Sequence, residues 1–166
     1  MQILLVEVDE DNYRDVMSLE VEVGQEKFVA SNAESIAESK FNQYCRTRVI
    51  YFGRKIVGFV MYERCVNEGR PNEYNLYRMM IDKSYQNKGI GSVAMQLLLD
   101  EMKQQTDCHK LSVCYDETSE RHRKFYQRFG FTEVGYCDEY EEMLAELIVK
   151  KEVELLIKEK KYFPYD

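Results

Sequence analysis

Hydrophobic and polar residues along this chain follow two periods, which predict a mixture of strands and helices. The clearest example lies between residues 77 and 105, where an apolar run, a polar loop and an amphipathic segment follow one another. The pattern predicts a strand over 77–82 and a helix over 92–105 that packs on a sheet. The predicted apolar face of this helix comprises Ile90, Val93, Ala94, Leu97, Leu98 and Met102.

The remaining segments show the same two kinds of pattern. Apolar runs predict further strands, and helical spacing predicts further helices. The short Gly53-Arg54-Lys55 connection favours an antiparallel hairpin, and Gly58 in the strand after it indicates a bulge or a close backbone approach. The strands are expected at 2–8, 48–52, 56–62, 110–115, 131–136 and 143–148, and the helices at 13–19, 33–44 and 120–129.

No linker, repeat or low-complexity tract interrupts these elements. We therefore expect one domain over residues 1–148, because a chain of 166 residues is long enough for one sizeable core. A charged extension over 149–166 follows it. In this extension Val153, Leu156 and Ile157 have helical spacing, which favours a helix.

The loop before the long helix has the features of an anion-binding site. Gly89 and Gly91 allow a tight turn and a close approach of the backbone to a ligand. The first amides of a helix lack intrahelical partners, and the helix dipole favours negative charge there. Lys88 and Gln86 add charge and hydrogen-bond donors. Two glycines can also merely connect a strand to a core helix, and the loop pattern alone leaves both interpretations open.

Composition excludes several classes of protein. The formal net charge is −7, the sequence pI is about 5.1, and no long basic run is present, which argues against a nucleic-acid partner. The five cysteines form no C-x-x-C pair, so neither disulfides nor a zinc site are expected. The apolar start is too short for a membrane span or a signal peptide. A cytoplasmic protein without metal or membrane contact is expected, and its acidic surface would suit a cationic partner.

Two motifs resemble those of the GNAT N-acetyltransferases. The run Gln86-x-x-Gly89-x-Gly91, after a strand and before an amphipathic helix, is similar to the family's acetyl-CoA signature, Q/R-x-x-G-x-G/A. Tyr126 followed by Gly130-Phe131 is similar to a second family pattern. The resemblance implies an α/β (α+β) GNAT fold, in which helices flank both faces of a mixed, mostly antiparallel sheet. It also implies acetyl-CoA as the cosubstrate, bound by Met80, Ile81, Gln86, Asn87, Lys88, Gly89, Ile90, Gly91, Ser92 and Ser119.

The resemblance also implies catalytic chemistry. In many family members the tyrosine that matches Tyr126 lies near the coenzyme sulfur, which makes Tyr126 the expected general acid that protonates the leaving thiolate. The sequence departs from the family pattern just upstream, where Ser119 stands in place of asparagine and His122 in place of a small residue. Ser119 still offers a helix cap and a hydroxyl. For His122 we expect a surface position, and a ligand contact or membership of a proton relay are the alternatives. Dimers are common in the family, so a homodimer is an expectation of the resemblance.

The acceptor is expected to be a primary amine, most simply that of a polyamine. Segment 28–37 resembles the bacterial spermine/spermidine (diamine) acetyltransferases, and a row of carboxylates would hold a polycation. Tyr77 stands where eukaryotic diamine acetyltransferases carry a catalytic glutamate, so the resemblance assigns no general base. The candidates for that role are Glu20, Glu22, Glu63 and Glu142. The residues predicted to bind the substrate are Glu20, Glu22, Tyr77 and Glu142.

Three questions stay open at this point. The amine could belong instead to a protein N-terminus, an amino acid or an antibiotic. The chain could also be an acyl-CoA-binding module without catalysis, although Tyr126 argues against that. No cysteine is paired with a histidine in a nucleophile arrangement, so direct attack in a ternary complex is expected rather than a covalent acetyl-enzyme.

Overall fold

The computed structural model describes residues 2–138 and 141–149, and over these residues the chain forms seven strands and four α-helices. The predicted helix within 149–166 lies outside the described residues, apart from position 149. The strands are β1 (Ile3–Glu7), β2 (Cys45–Phe52), β3 (Lys55–Arg64), β4 (Glu73–Ile81), β5 (Lys110–Tyr115), β6 (Thr132–Cys137) and β7 (Glu142–Ile148). The helices are α1 (Tyr13–Met17), α2 (Asn32–Phe41), α3 (Ile90–Gln104) and α4 (Glu120–Gln127), with short 3₁₀ turns at Glu26–Phe28 and Lys83–Tyr85.

The strands form a single sheet in the order β1-β2-β3-β4-β5-β7-β6. Every neighbouring pair is antiparallel except β4 and β5, which are parallel and are connected through α3. A parallel pair needs such a crossover, because its strands start at the same edge of the sheet. The mixed, mostly antiparallel sheet expected from the sequence is therefore confirmed.

The sheet opens between β4 and β5. The two strands pair only where residues 73–76 face residues 110–113, so residues 77–81 have no described strand beside them on that side. On the other side of β4, the register with β3 shifts between Met61 and Tyr62 and leaves Tyr77 as a bulge. A bulge bends its strand away from regular pairing. Because the bulge lies where the pairing with β5 ends, it directs the last part of β4 away from β5.

Helices cover both faces of the sheet, as expected. On one face α3 buries Ala94, Leu98 and Met102 completely against β-strand residues such as Ile50 and Leu111. On the other face Val16 of α1 joins a cluster with Val49, Phe59, Met61 and Met80. Full burial of such side chains contributes about 1.5–3 kcal/mol each. Most of the driving force that holds the sheet between its helices therefore comes from these two clusters.

The predicted face of the long helix is partly wrong. Val93 is 46% exposed, whereas Met95 and Leu99, which were left out of the predicted face, are buried. Apolar residues cover so much of α3 that their spacing alone allowed two overlapping faces. Packing against the sheet selects the face that contains Ala94, Met95, Leu98, Leu99 and Met102.

Several boundaries also differ from the sequence prediction. The strand predicted at 77–82 begins four residues earlier, at Glu73, because the polar residues there alternate with buried Tyr74 and Leu76. The helix predicted at 13–19 ends at Met17. The helix predicted at 33–44 runs instead from Asn32 to Phe41. A capping box fixes its start, since the Ser31 side chain accepts a hydrogen bond from the Glu34 amide and the Glu34 carboxylate accepts one from the Ser31 amide.

Candidate active site

Two adjoining clefts lie at the opening between β4 and β5. The larger cleft has a volume of about 780 Å³ and is bounded by the end of β4, the loop after it, the start of α3 and one side of α4. The smaller cleft, of about 350 Å³, lies between β4, the end of β5 and residues 26–30. Five residues line both clefts, and we call them the junction: Phe28, Val29, Met79, His122 and Tyr126.

The loop before α3 is shaped as the glycine pattern predicted. Gly89, the N-cap of α3, has a φ of 78° in the left-handed region, where a side chain would strain the backbone. It brings no side-chain cap to the helix, so the amides of Ile90 and Gly91 remain for another partner, while the Ser92 amide donates to the Gly89 oxygen at 3.1 Å. Ile90, Gly91 and Ser92 of this turn line the larger cleft. The cleft therefore has the positive end of a helix dipole in its wall.

Gln86 positions the loop rather than simply facing a ligand. Its Nε2 donates to the backbone oxygen of Ile81 at 3.0 Å and to Oε1 of Gln25 at 2.8 Å. Gln25 donates in return to Oε1 of Gln86 at 3.2 Å. This paired amide joins the end of β4, the loop and the segment before α2. Sequence reasoning missed Gln25, because nothing in its own neighbourhood marks it as a partner of a residue sixty positions later.

Three cations line the larger cleft, two in α4 and one at its C-cap, and the sequence analysis missed all of them. They are Arg121, Lys124 and Arg128, at the i, i+3 and i+7 positions of one helical face, a spacing that could have revealed them. The Nη2 atom of Arg121 lies 3.5 Å from the side-chain oxygens of both Gln86 and Asn87. These cations make the cleft suitable for a polyanion.

Lys88, by contrast, is not among the residues that line the larger cleft. Its Nζ donates to the backbone oxygen of Ser84 at 2.7 Å and lies 5.2 Å from the centroid of the Tyr85 ring. The charge expected from Lys88 is therefore held beside the loop, and the cations of α4 occupy the cleft wall instead. Ser119 does line the cleft and caps α4, because its Oγ accepts from the His122 amide at 3.4 Å.

Tyr126 is held by aromatic rings at the junction. It is 9% exposed and stacks on Tyr115 with 5.4 Å between ring centroids, while Phe125 and Phe131 meet its edges and face. Burial, and after it the charge of Glu142, raises the pKa of the Tyr126 hydroxyl. The hydroxyl therefore carries its proton at neutral pH and holds it more tightly than a free phenol does. Its orientation is fixed by packing.

His122 corrects the expectation of a surface position. The residue is half-buried, lines both clefts, and its ring meets Phe28 edge-on at 5.5 Å between centroids. Burial, and then the neighbouring Arg121, lower the pKa of the imidazole, while Asp116 opposes them. The position looked exposed from the sequence because its neighbours on α4 are charged. The 3₁₀ turn that contains Phe28 covers it, and no local pattern indicated that long-range contact.

The smaller cleft contains Tyr77 and Glu142, two of the predicted substrate-binding residues. Burial raises the pKa of the Glu142 carboxyl. Asp116 and Glu26 line the same cleft, as do the cations Lys27 and Arg78. The cleft is therefore polar and carries both signs of charge.

Three other predicted acidic residues do not line either cleft. Glu20 pairs with Lys83, whose Nζ lies 2.5 Å from Oε2 of the carboxylate. The backbone amide of Glu22 donates to Gln25 at 3.2 Å. Glu63 accepts from Nδ2 of Asn42 at 2.7 Å. The structure thus brings Tyr77 and Glu142 together and leaves these three apart from them. All the predicted functional roles remain predictions.

A family comparison agrees with this geometry. The model of the acetyltransferase (GNAT) family matches residues 10–131. The chain belongs to the GNAT acetyltransferase family. The match includes the loop before α3, Tyr126 and the Gly130-Phe131 pair, so the resemblance and the enzyme class expected from the sequence, an N-acetyltransferase, are confirmed.

Two curated relatives in this GNAT family are similar over most of the chain. A probable spermine N(1)-acetyltransferase of Bacillus subtilis subsp. natto is 28% identical over 141 residues, which are 83% of this chain and 93% of that protein. A spermine/spermidine N(1)-acetyltransferase of Bacillus subtilis strain 168 is 27% identical over the same lengths.

Solved structures confirm the GNAT fold. A spermidine N-acetyltransferase from Vibrio cholerae, in complex with CoA and spermine, has a TM-score of 0.72 and 15% identity, covering 92% of this chain and 98% of that one. An aminoglycoside acetyltransferase in complex with coenzyme A has a TM-score of 0.75 and 10% identity, with coverage of 89% and 95%.

Neither a metal-binding cluster nor a membrane-spanning helix is present within residues 2–138 and 141–149. No group of three or more His, Cys, Asp or Glu side chains there is arranged to hold a metal ion. No helix in the same part of the chain has both the length and the apolar character needed to cross a membrane.

Proposed function

We propose that this GNAT protein transfers the acetyl group of acetyl-CoA to a primary amine, and that the amine belongs to a polyamine such as spermidine or spermine. The observation that carries the proposal is the junction, where a cation-lined cleft and a carboxylate-containing cleft meet beside Tyr126. A two-substrate transfer requires such an arrangement, since donor and acceptor must approach one reactive point from different sides.

The larger cleft fits the coenzyme. Arg121, Lys124 and Arg128, with the first amides of α3, would hold its phosphates. The last part of β4, including Met80 and Ile81, has no described strand on one side, so its backbone is able to pair with an extended ligand arm. When bound, acetyl-CoA supplies an activated thioester carbonyl. Tyr126 would give its hydroxyl proton to the departing sulfur.

The smaller cleft fits a cationic acceptor at the carboxylates of Glu142, Asp116 and Glu26. The raised pKa of Glu142 comes from desolvation, and a bound ammonium group would stabilise its charged form. The relatives that act on spermine and spermidine support this choice of acceptor.

A second candidate acceptor is an amine that also carries a carboxylate, as an amino acid does. Lys27 and Arg78 favour it, because they place two cations in the same cleft. Arg78 is only partly neutralised there, with Oε2 of Glu38 3.7 Å from its Nη2. The polyamine remains the proposal because the three carboxylates outnumber these cations.

The test is an assay of free CoA release with a panel of acceptors at equal concentration. We expect the highest kcat/KM with spermidine or spermine, and values at least tenfold lower for an amino acid, a peptide N-terminus and an aminoglycoside. The Glu142→Gln variant should raise KM for spermidine several-fold with little change in kcat, while Glu10→Gln, on the exposed loop after β1, should leave both unchanged. No turnover of either polyamine would refute the proposed acceptor.

A further inference from the structure

The half-buried His122 lies at the junction, and the proposed reaction assigns it no role. His122 and Tyr126 lie one helical turn apart on α4, so their side chains leave the helix on the same side. Both line the larger and the smaller cleft. His122 is therefore within the region where, under the proposed function, the amine meets the acetyl group.

Acetyl transfer to an amine needs a proton acceptor, because an alkyl ammonium group has a pKa near 10 and carries no lone pair at neutral pH. A base must reach the attacking nitrogen, and that nitrogen has to lie at the junction. Of the five described residues that line both clefts, His122 alone has a side chain that accepts a proton near neutral pH. Glu142, Asp116 and Glu26 line only the smaller cleft.

The surroundings of His122 keep its ring neutral. Among the described residues, the buried Nδ1 atom has no hydrogen-bond partner, which leaves Nε2 as the nitrogen available to a ligand in the clefts. A proton taken up at Nε2 requires the neutral tautomer that carries its hydrogen on Nδ1, and burial of the ring disfavours the doubly protonated, charged form. Arg121 also acts against a positive charge here and Asp116 favours it, while Phe28, Tyr115 and Tyr126 contribute rings.

We propose that His122 is the general base of this acetyltransferase, an inference that rests on the proposed function. Nε2 accepts one proton from the ammonium group, and the freed lone pair attacks the thioester carbonyl. As the C–N bond forms and the C–S bond breaks, Tyr126 gives its hydroxyl proton to the sulfur. Tyr126 regains a proton from the nitrogen through water, and His122 releases its own to solvent. One proton is released in each turnover, as the overall reaction requires.

The division of labour between His122 and Glu142 gives the proposal a distinctive kinetic signature. A base acts in the chemical step, whereas a carboxylate in the smaller cleft holds the bound amine. Loss of the His122 imidazole should therefore lower kcat, and loss of the Glu142 charge should raise KM.

The experiment compares His122→Gln, which keeps a polar side chain without a basic nitrogen, with His109→Gln, the same change at the other histidine of the chain. His109 precedes β5 and lines neither cleft. For His122→Gln with spermidine we expect kcat to fall at least 100-fold, as is typical for loss of a general base. The acid limb of the kcat/KM–pH profile should disappear with it. His109→Gln should match the wild type.

Two further measurements protect the test against a merely structural effect. His122→Gln should bind CoA in calorimetry with wild-type affinity, and added imidazole should partly restore the rate of His122→Ala. In the wild-type protein, ¹⁵N NMR of the two histidines, assigned with the same variants, should show His122 neutral at pH 7 without any substrate.

The outcomes separate this inference from the proposed function. If the wild type acetylates spermidine while His122→Gln keeps its kcat within threefold and retains the acid limb, His122 is not the base. Transfer of the acid-limb loss to Glu142→Gln would make Glu142 the base instead. An imidazolium at pH 7 in the NMR spectrum would also overturn the proposal. If the wild type acetylates no amine although it binds CoA, the proposed function itself fails and the base role falls with it.

Discussion

Replacing Gly58 by alanine should disturb the strand that borders the larger cleft. Gly58 lies in β3 opposite Ile81, and an added Cβ would sit 2.6 Å from the backbone oxygen of Met80. It would also lie 2.8 Å from Cδ1 of Ile50 and 2.9 Å from Cδ1 of Ile81. The two isoleucine side chains are able to turn away, but the carbonyl of Met80 belongs to the sheet. From Gly58 the sequence predicted a bulge or a close backbone approach, and the structure shows both. The Met80 carbonyl lies close to Gly58, and the register of β2 and β3 shifts beside it.

The size of the effect follows from the missing space. Ordinary contact between carbon and a carbonyl oxygen needs about 3.3 Å, so β3 and β4 must separate by roughly 0.7 Å. Overpacking of this kind costs about 1–3 kcal/mol of unfolding free energy. In a domain of this size each kcal/mol lowers Tm by about 2–4 °C, which gives a decrease of about 2–12 °C. Because Met80 lines the larger cleft, CoA affinity should fall as well.

Urea unfolding followed by circular dichroism measures the stability loss, and calorimetry measures CoA affinity. The matched control is Gly135→Ala in β6, where an added Cβ would meet no atom within 4 Å. That variant should stay within about 0.5 kcal/mol of the wild type. If Gly58→Ala unfolds at the wild-type urea concentration, or if both variants lose the same stability, the close approach of β3 to the Met80 carbonyl does not constrain the protein.

Three further outcomes are expected. Tyr126→Phe should lower kcat by about 100-fold or more while CoA affinity stays unchanged, and an unchanged rate would exclude Tyr126 as the acid. Arg121→Ala should weaken CoA binding several-fold and reduce its dependence on salt, which calorimetry at two ionic strengths would detect. Arg123, and then the Tyr115 hydroxyl, lower the pKa of Glu133, so its contribution to stability is present above the ordinary glutamate pKa and is lost as pH falls. Glu133→Gln should therefore flatten the decline of Tm between about pH 6 and pH 3, and an unchanged slope would contradict this.

The coenzyme side of the site was more accessible to sequence reasoning than the acceptor side. Gln86, Gly89 and Gly91 lie within six residues of one another, so a short local motif and the family resemblance that it carries identified the loop and the helix after it. Tyr126 was reached through a second local motif. These features depend on turn geometry and helix spacing, which act over short distances along the chain.

The acceptor side depends on contacts between distant segments. Phe28 covers His122 from more than ninety positions earlier, and this burial changes the chemistry of the imidazole without leaving a local pattern. Gln25 and Gln86 are likewise joined across the fold. Glu20 was predicted to bind the substrate, but it lies outside the clefts, where it pairs with Lys83. Charge counts along the sequence cannot distinguish a carboxylate that faces a cleft from one that faces its own counter-ion.

The opening in the sheet beside residues 77–81 affects how readily the protein aggregates during storage. An unpaired length of strand backbone is a template to which another chain can add, and proteins normally cover such edges. Here the edge lies inside the sheet and, under the proposed function, the coenzyme arm covers it. A ligand present at 100 times its Kd adds about 2.7 kcal/mol to stability. Stored without coenzyme, the protein should form β-rich aggregates sooner. CoA, a product of the reaction, should therefore also protect the protein against aggregation.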